Sequence, residues 1–199
     1  DRALRQRAEA SFQQGDYDRA RADFHAIGAR SQVDDERFQF YLREVDCLES
    51  ARRYDDELAL LQQELGHTPP PPTPKPGQLI AAGSDRYGRL ELRIGTAHLL
   101  AGRSKDALEH YAHVLADFPK TAISAEAQYR IGFTYETSLD DFDRALKEYA
   151  LVKEQFGLST YMQQANQRSE NLTRIMQFRR GSGADSLEKK AEASFLTAE

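Results

Sequence analysis

The chain has 199 residues, 40% apolar and 30% charged, with a formal net charge of -5 and no tryptophan. A mean hydropathy of -0.70 argues against one large oily core and suits thin layers in which each helix buries a single stripe. Acids and bases are interleaved, which argues against the basic stripe that nucleic-acid binding needs, and no apolar run approaches the roughly 18 residues that span a bilayer, so no direct membrane insertion is expected.

Apolar residues recur at three- and four-residue steps and sustained alternation is absent, so nearly everything reads as helix. The predicted helices are 2–14, 17–29, 35–51, 54–66, 86–101, 104–117, 122–138, 142–156, 160–178 and 185–198. Gly15, Gly28, Gly66, Gly102, Gly157, Gly181 and Gly183 stand between or at the ends of these segments, where helices stop. Short turns make successive helices antiparallel hairpins.

Repetition runs through the chain. Ala8-Glu9-Ala10-Ser11-Phe12 returns as Ala191-Glu192-Ala193-Ser194-Phe195, and Asp16-Tyr17-Asp18-Arg19-Ala20 is echoed by Asp141-Phe142-Asp143-Arg144-Ala145. Gly15, Ala20 and Phe24 share their spacing with Gly102, Ala107 and Tyr111, and with Asp140, Ala145 and Tyr149. Gly or Asp reverses the chain, Ala admits the second helix close to the first, and the aromatic fills the space between layers. Gly95 and Gly132 sit inside first helices, where glycine costs roughly 1 kcal/mol relative to alanine; close helix contact is the expected reason.

Two segments interrupt the array. His67 to Gly77 holds Pro69, Pro70, Pro71, Pro72, Pro74 and Pro76, which predicts extended polyproline II acting as a stiff spacer. From Asp185, Leu187, Ala191, Phe195 and Ala198 form an apolar stripe like that of Leu4, Ala8 and Phe12, so the last helix reads as the first helix of a further, truncated repeat or as a cap. The expected divisions are hairpins one and two at 1–66, a Pro-rich linker at 67–85, hairpins three and four at 86–158, and a long helix plus one more at 159–199. The chain begins at Asp1 without Met, which fits a mature form or a trimmed fragment.

The pattern Gly132, Tyr135, Ala145, Tyr149 and its partner Gly95, Ala107, Tyr111, Pro119 resembles the tetratricopeptide repeat, a helix–turn–helix unit of about 34 residues. Hairpins one, three and four match well; in hairpin two Tyr54 fits, but Glu57 stands where Ala is expected and Leu61 replaces the aromatic. The resemblance implies an all-α right-handed superhelix, an α-solenoid, whose function is to hold other proteins without catalysis. Asp117-Phe118-Pro119-Lys120-Thr121, followed by Ala125, Ala127, Tyr129, Ile131 and Gly132, is similar to linkers in bacterial envelope proteins of this family, the outer-membrane assembly lipoproteins and the coordinator of the Tol-Pal system. That likeness implies a periplasmic or outer-membrane-associated adaptor; a cytoplasmic adaptor is the alternative address.

In such arrays the first helix of each hairpin lines a concave groove. The resemblance thus places Arg2, Arg5, Glu9, Phe12 and Gln13 there from hairpin one. Arg89, Leu92, Arg93, Thr96 and Leu99 come from hairpin three, and Tyr129, Phe133, Glu136 and Thr137 from hairpin four. Arg5, Phe12, Arg89, Arg93, Tyr129 and Phe133 are the protein-binding candidates, because arginine and aromatic side chains dominate binding energy. Some members clamp a partner's terminal carboxylate with Lys, Arg and Asn, but Glu9 and Arg43 hold the Asn positions here.

Other chemistry finds little footing. His98, His110 and His113 suggest a metal, yet ligands must converge and usually include a carboxylate or thiolate; solvated surface histidines are expected. Asp140, Asp141 and Asp143 lack the Gly and terminal Glu of a calcium loop, and helix capping explains them better. Cys47, the single cysteine, permits no intrachain disulfide and reads as a buried structural thiol. No phosphate loop, paired-cysteine zinc site, zinc-protease signature or nucleophile elbow is present, so no catalytic, cofactor-binding or metal-binding residue is assigned. Protein or peptide partners follow, with homo-oligomerisation through the last helix as the rival reading.

Overall fold

The structure is a computed structural model that describes residues 2–71 and 85–180, with side chains as far as Gln177. Among them nine helices follow one another: α1 (Arg2–Gln13), α2 (Tyr17–Arg30), α3 (Asp34–Ser50), α4 (Tyr54–His67), α5 (Arg86–Leu100), α6 (Ser104–Asp117), α7 (Ala122–Thr137), α8 (Phe142–Gln155) and α9 (Thr160–Arg180). The described residues contain no strand. The expected all-α helical-repeat architecture is therefore what the chain forms, and the predicted helix boundaries fall within a few residues of the observed ones. Most of the Pro-rich linker and all of the predicted helix 185–198 lie outside the described residues.

The molecule has two compact units, residues 1–110 and 111–199. In the first, each helix from α1 to α5 packs on the next. Ala8, Ala20, Phe24, Ile27 and Cys47 form a core among α1, α2 and α3. Phe38, Val45, Leu58, Leu61, Leu90, Ile94 and Ala97 form a second core among α3, α4 and α5. In the second unit α7, α8 and α9 enclose Ala145, Tyr149, Val152, Ala165 and Leu172, flanked by Tyr129, Tyr135, Phe142, Leu146 and Tyr161. These are the apolar residues at helical spacing, so each helix buries one stripe and leaves the rest wet.

The hairpin turns share one backbone device. Gly15 and Gly102 take φ of 81° and 77°, and Arg52 and Asp140 take 58° and 51°. A left-handed residue after a helix lets the following amide turn back and satisfy a carbonyl of the last turn. Asp16 donates to the Ser11 carbonyl at 2.9 Å, Arg53 to Leu48 at 2.9 Å and Arg103 to His98 at 2.8 Å. In hairpin four Asp141 donates to Tyr135 at 2.9 Å, so this turn spends one more residue. The neighbouring aspartates divide the work: Asp140 makes the turn, and the Asp141 side chain accepts from the Arg144 amide as the N-cap of α8. Asp16 caps α2 in the same way.

Arg52 is the turn residue that sequence reading overlooked. A side chain in this region clashes with its own backbone, at a cost of roughly 1–2 kcal/mol that glycine avoids. Arg52→Gly is expected to raise unfolding free energy by about 1 kcal/mol in a urea titration; an unchanged or lower midpoint would show that the arginine side chain contributes as much as the strain costs.

Hairpin two also forms despite its departures from the repeat pattern. Leu61 is wholly buried in the place of the aromatic, and Glu57 is wholly buried where Ala20, Ala107 and Ala145 are wholly buried in the other hairpins. The Gly132 expectation is met at atomic scale: a methyl group there would lie 2.7 Å from Cε1 of Tyr149. Gly95 is buried within α5.

Candidate interaction faces

In the first unit the candidates on α1 and α5 are engaged by α3. The Arg5 guanidinium lies over the Phe40 ring, 4.8 Å from its centre, and pairs with Glu36. Phe12 meets Tyr17 edge-on at 5.5 Å and lies beneath Arg43, 4.6 Å away. Arg43 itself donates to Glu9 at 2.6 Å and to Asp46 at 3.0 Å. Arg93 donates to Asp46 and, at 3.2 Å, to Glu49. Arg89 is different, pairing at 2.7 Å with Asp85, the residue just before its own helix.

A row of ion pairs thus laces α1, α3 and α5. Each exposed pair contributes only about 0.2–1 kcal/mol, but a guanidinium stacked on a ring adds roughly 0.5–1 kcal/mol and fixes the arginine's direction. The consequence for recognition is selective. Arg5 and Arg89 keep 48% and 46% of their side chains exposed, whereas Arg93 keeps 27% and already serves two carboxylates. Leu92 and Thr96, also placed on the groove by the repeat pattern, are buried.

In the second unit Tyr129 and Phe133 are neighbours on α7, their rings stacked at 6.4 Å. Tyr129 also meets Tyr149 at 5.7 Å and Tyr161 at 5.4 Å. Arg168 of α9 closes over this group: its guanidinium stands 4.5 Å from the Phe133 ring centre. It donates to the Tyr129 hydroxyl at 2.9 Å and to Glu136 at 2.8 Å. Tyr149 donates to the same Glu136, and burial with that hydrogen bond pushes the Tyr149 hydroxyl far above the usual tyrosine range. The candidates here form an aromatic platform against which the Arg168 guanidinium is set.

Arg43 and Arg168 are the residues that sequence reasoning missed as organisers of these faces. Each reaches from a helix two places along the chain, a relation with no signature in local spacing. Arg7 is a third: it grips the buried Asp23 with bonds of 2.7 and 2.6 Å, and these hold the Asp23 carboxyl below its ordinary range.

The histidines need a correction. His98 and His110 are not solvated surface groups, because α5 and α6 bring them together. Their rings stack at 5.3 Å, and Nδ1 of His110 lies 2.6 Å from the buried Glu91 carboxylate. Arg103 donates to Nδ1 of His98 at 3.1 Å, and burial together with the neighbouring His110 lowers its affinity for a proton. Glu91 and His110 are two groups of the kind that ligate metals, both within the first unit. His113, one turn further along α6, is exposed. Cys47 is buried, and burial pushes its thiol up to about 11, so it is an inert core group.

Antiparallel helix pairs with a left-handed turn residue, a small residue at the helix crossing and a large apolar residue one turn on define the class of α-helical repeat scaffolds. Residues 126–159 match the model of one such family, the tetratricopeptide repeat, which supports that family for this chain. The match begins in α7, covers α8 and ends just before α9. No curated protein matches the chain. No described helix is long and apolar enough to cross a membrane.

Proposed function

We propose that the protein is a non-catalytic scaffold that binds protein or peptide segments along the faces of its first helices. The observation that carries this reading is the recurrence of one hairpin design, with a segment matching the tetratricopeptide repeat, whose members generally act as protein-interaction modules. Exposed arginine beside aromatic side chains is the chemistry that anchors such partners. Arg5 over Phe40 supplies it in the first unit, with Arg89 as a further exposed cation, and Tyr129 with Phe133 supplies the aromatic part in the second. The likeness of residues 117–132 to linkers of envelope proteins supports work at a bacterial envelope, as an adaptor.

A crosslinked pull-down from the source cells, comparing the natural chain with an Arg89→Glu, Phe133→Glu variant, tests the proposal. A partner captured by the natural chain should be lost from the variant while its helical circular dichroism is kept. Retention of every partner would overturn binding through these faces. Fractionation of the same cells should place the protein with envelope components; a purely cytoplasmic distribution would overturn the envelope assignment. A mass that rises with concentration would favour the self-assembly module instead.

A further inference from the structure

We propose that Glu57 is a proton-dependent latch on the second hairpin, seating α4 against α3 and α5 while its carboxyl is protonated and loosening that hairpin when the proton leaves. Glu57 is wholly buried, and neither of its oxygens has a hydrogen-bond partner among the described residues. It occupies the slot that alanine fills in the other hairpins, where a buried methyl group needs no hydrogen-bond partner and a buried carboxylate does.

The carboxylates around it oppose ionisation, and the cation that faces it is already shared. From α3, Asp46 and Glu49 face it, and from α5, Arg93. Arg93 is already shared between Asp46 and Glu49, while Arg43 is shared between Glu9 and Asp46. On α4 itself Asp55 and Asp56 are engaged elsewhere, by Arg103 and Arg53. Loss of the Glu57 proton to water therefore adds one more carboxylate to a group that holds more acids than bases. Burial and the Glu49 charge push Glu57 up to about 8. The Tyr41 hydroxyl donates to the Leu60 carbonyl at 2.8 Å and ties α3 to α4.

The direction of the pH effect follows. The folded chain keeps the Glu57 proton over a range in which the unfolded chain has lost it, so stability falls as pH rises from the ordinary carboxylate range toward about 8. It levels off above that value, where both states are ionised.

Urea unfolding of the natural chain and of Glu57→Gln, from about pH 5 to about pH 9, tests the latch. The unfolding constant of the natural chain, divided by that of Glu57→Gln, should rise about tenfold per pH unit until it levels off near 8. Glu57→Ala, which installs the residue of the other hairpins, serves equally if the glutamine variant does not fold. Two readouts on the natural chain complete the test. Carbon NMR of labelled glutamates should show one carboxyl titrating well above the rest. Hydrogen exchange, corrected for its intrinsic pH dependence, should accelerate in α4 ahead of α1. Equal pH slopes in natural and variant chains, a normally titrating Glu57, or uniform acceleration of exchange would each overturn the proposal.

Discussion

Replacing Gly132 with alanine is expected to destabilise the second unit by about 2 kcal/mol, the scale of forced overpacking in a well-filled core. The new methyl would meet Tyr149 at 2.7 Å from Cε1, 2.8 Å from Cδ1 and 3.3 Å from Cγ, so it faces the edge of a ring along its length. That ring has little freedom to retreat. It is 1% exposed, it rests against Tyr129, and its hydroxyl is tied to Glu136. Alanine would otherwise favour the helix by roughly 1 kcal/mol, so a net loss measures an even larger clash. Thermal unfolding of Gly132→Ala, Tyr149→Leu and the double variant checks this. The double variant should lose less than the sum of the singles, because a shorter side chain frees the space the methyl needs. Strict additivity, or a more stable Gly132→Ala, would mean that α7 and α8 separate without cost.

The second large effect concerns Arg93 and divides two arginines that look alike in sequence. Arg93→Glu is expected to cost about 2–3 kcal/mol, somewhat below the range for breaking a fully buried ion pair, because Arg93 is partly exposed. The substitution removes the cation shared by Asp46 and Glu49 and puts another carboxylate beside them, close to the buried Glu57. Arg89→Glu, four residues earlier on the same helix, should shift stability by only about 0.5 kcal/mol, since an exposed pair one turn apart contributes no more than that. Urea unfolding of the two variants side by side distinguishes them; equal costs would show that the α3–α5 ion pairs carry no stability. The contrast also governs binding experiments. Partner loss in Arg93→Glu confounds recognition with folding, whereas partner loss in Arg89→Glu reports the face itself.

The candidate faces were half legible. Tyr129 and Phe133 were placed together on the first helix of hairpin four by the repeat resemblance, and the structure puts them in contact, because that relation is internal to α7. Their cover, Arg168, arrives from α9 and could not be placed by spacing. The same limit explains the histidines: His110 and His113 were read along α6 as a solvated pair, while the partners that matter to His110, Glu91 and His98, come from α5. Hairpin two shows the limit from another side. Its mismatches at Glu57 and Leu61 weakened it as a repeat, yet packing from α3 and α5 closed it, and Arg52 took a backbone conformation its side chain disfavours.

What the amino-acid sequence determined by itself was every feature that acts over a few residues: the helical stripes, the glycine and aspartate turns, the caps, and the order of hairpins. These follow from backbone sterics and from spacing at three and four residues, which are properties of a short stretch of chain. Only the tertiary structure decided which charges are held between helices and which stay exposed. Arg93 is consumed by α3, Arg89 is left exposed, and Glu57 is sealed with no hydrogen-bond partner among the described residues. A side chain's solvation and ion pairs depend on groups distant in sequence, brought within a few ångströms only when the hairpins pack.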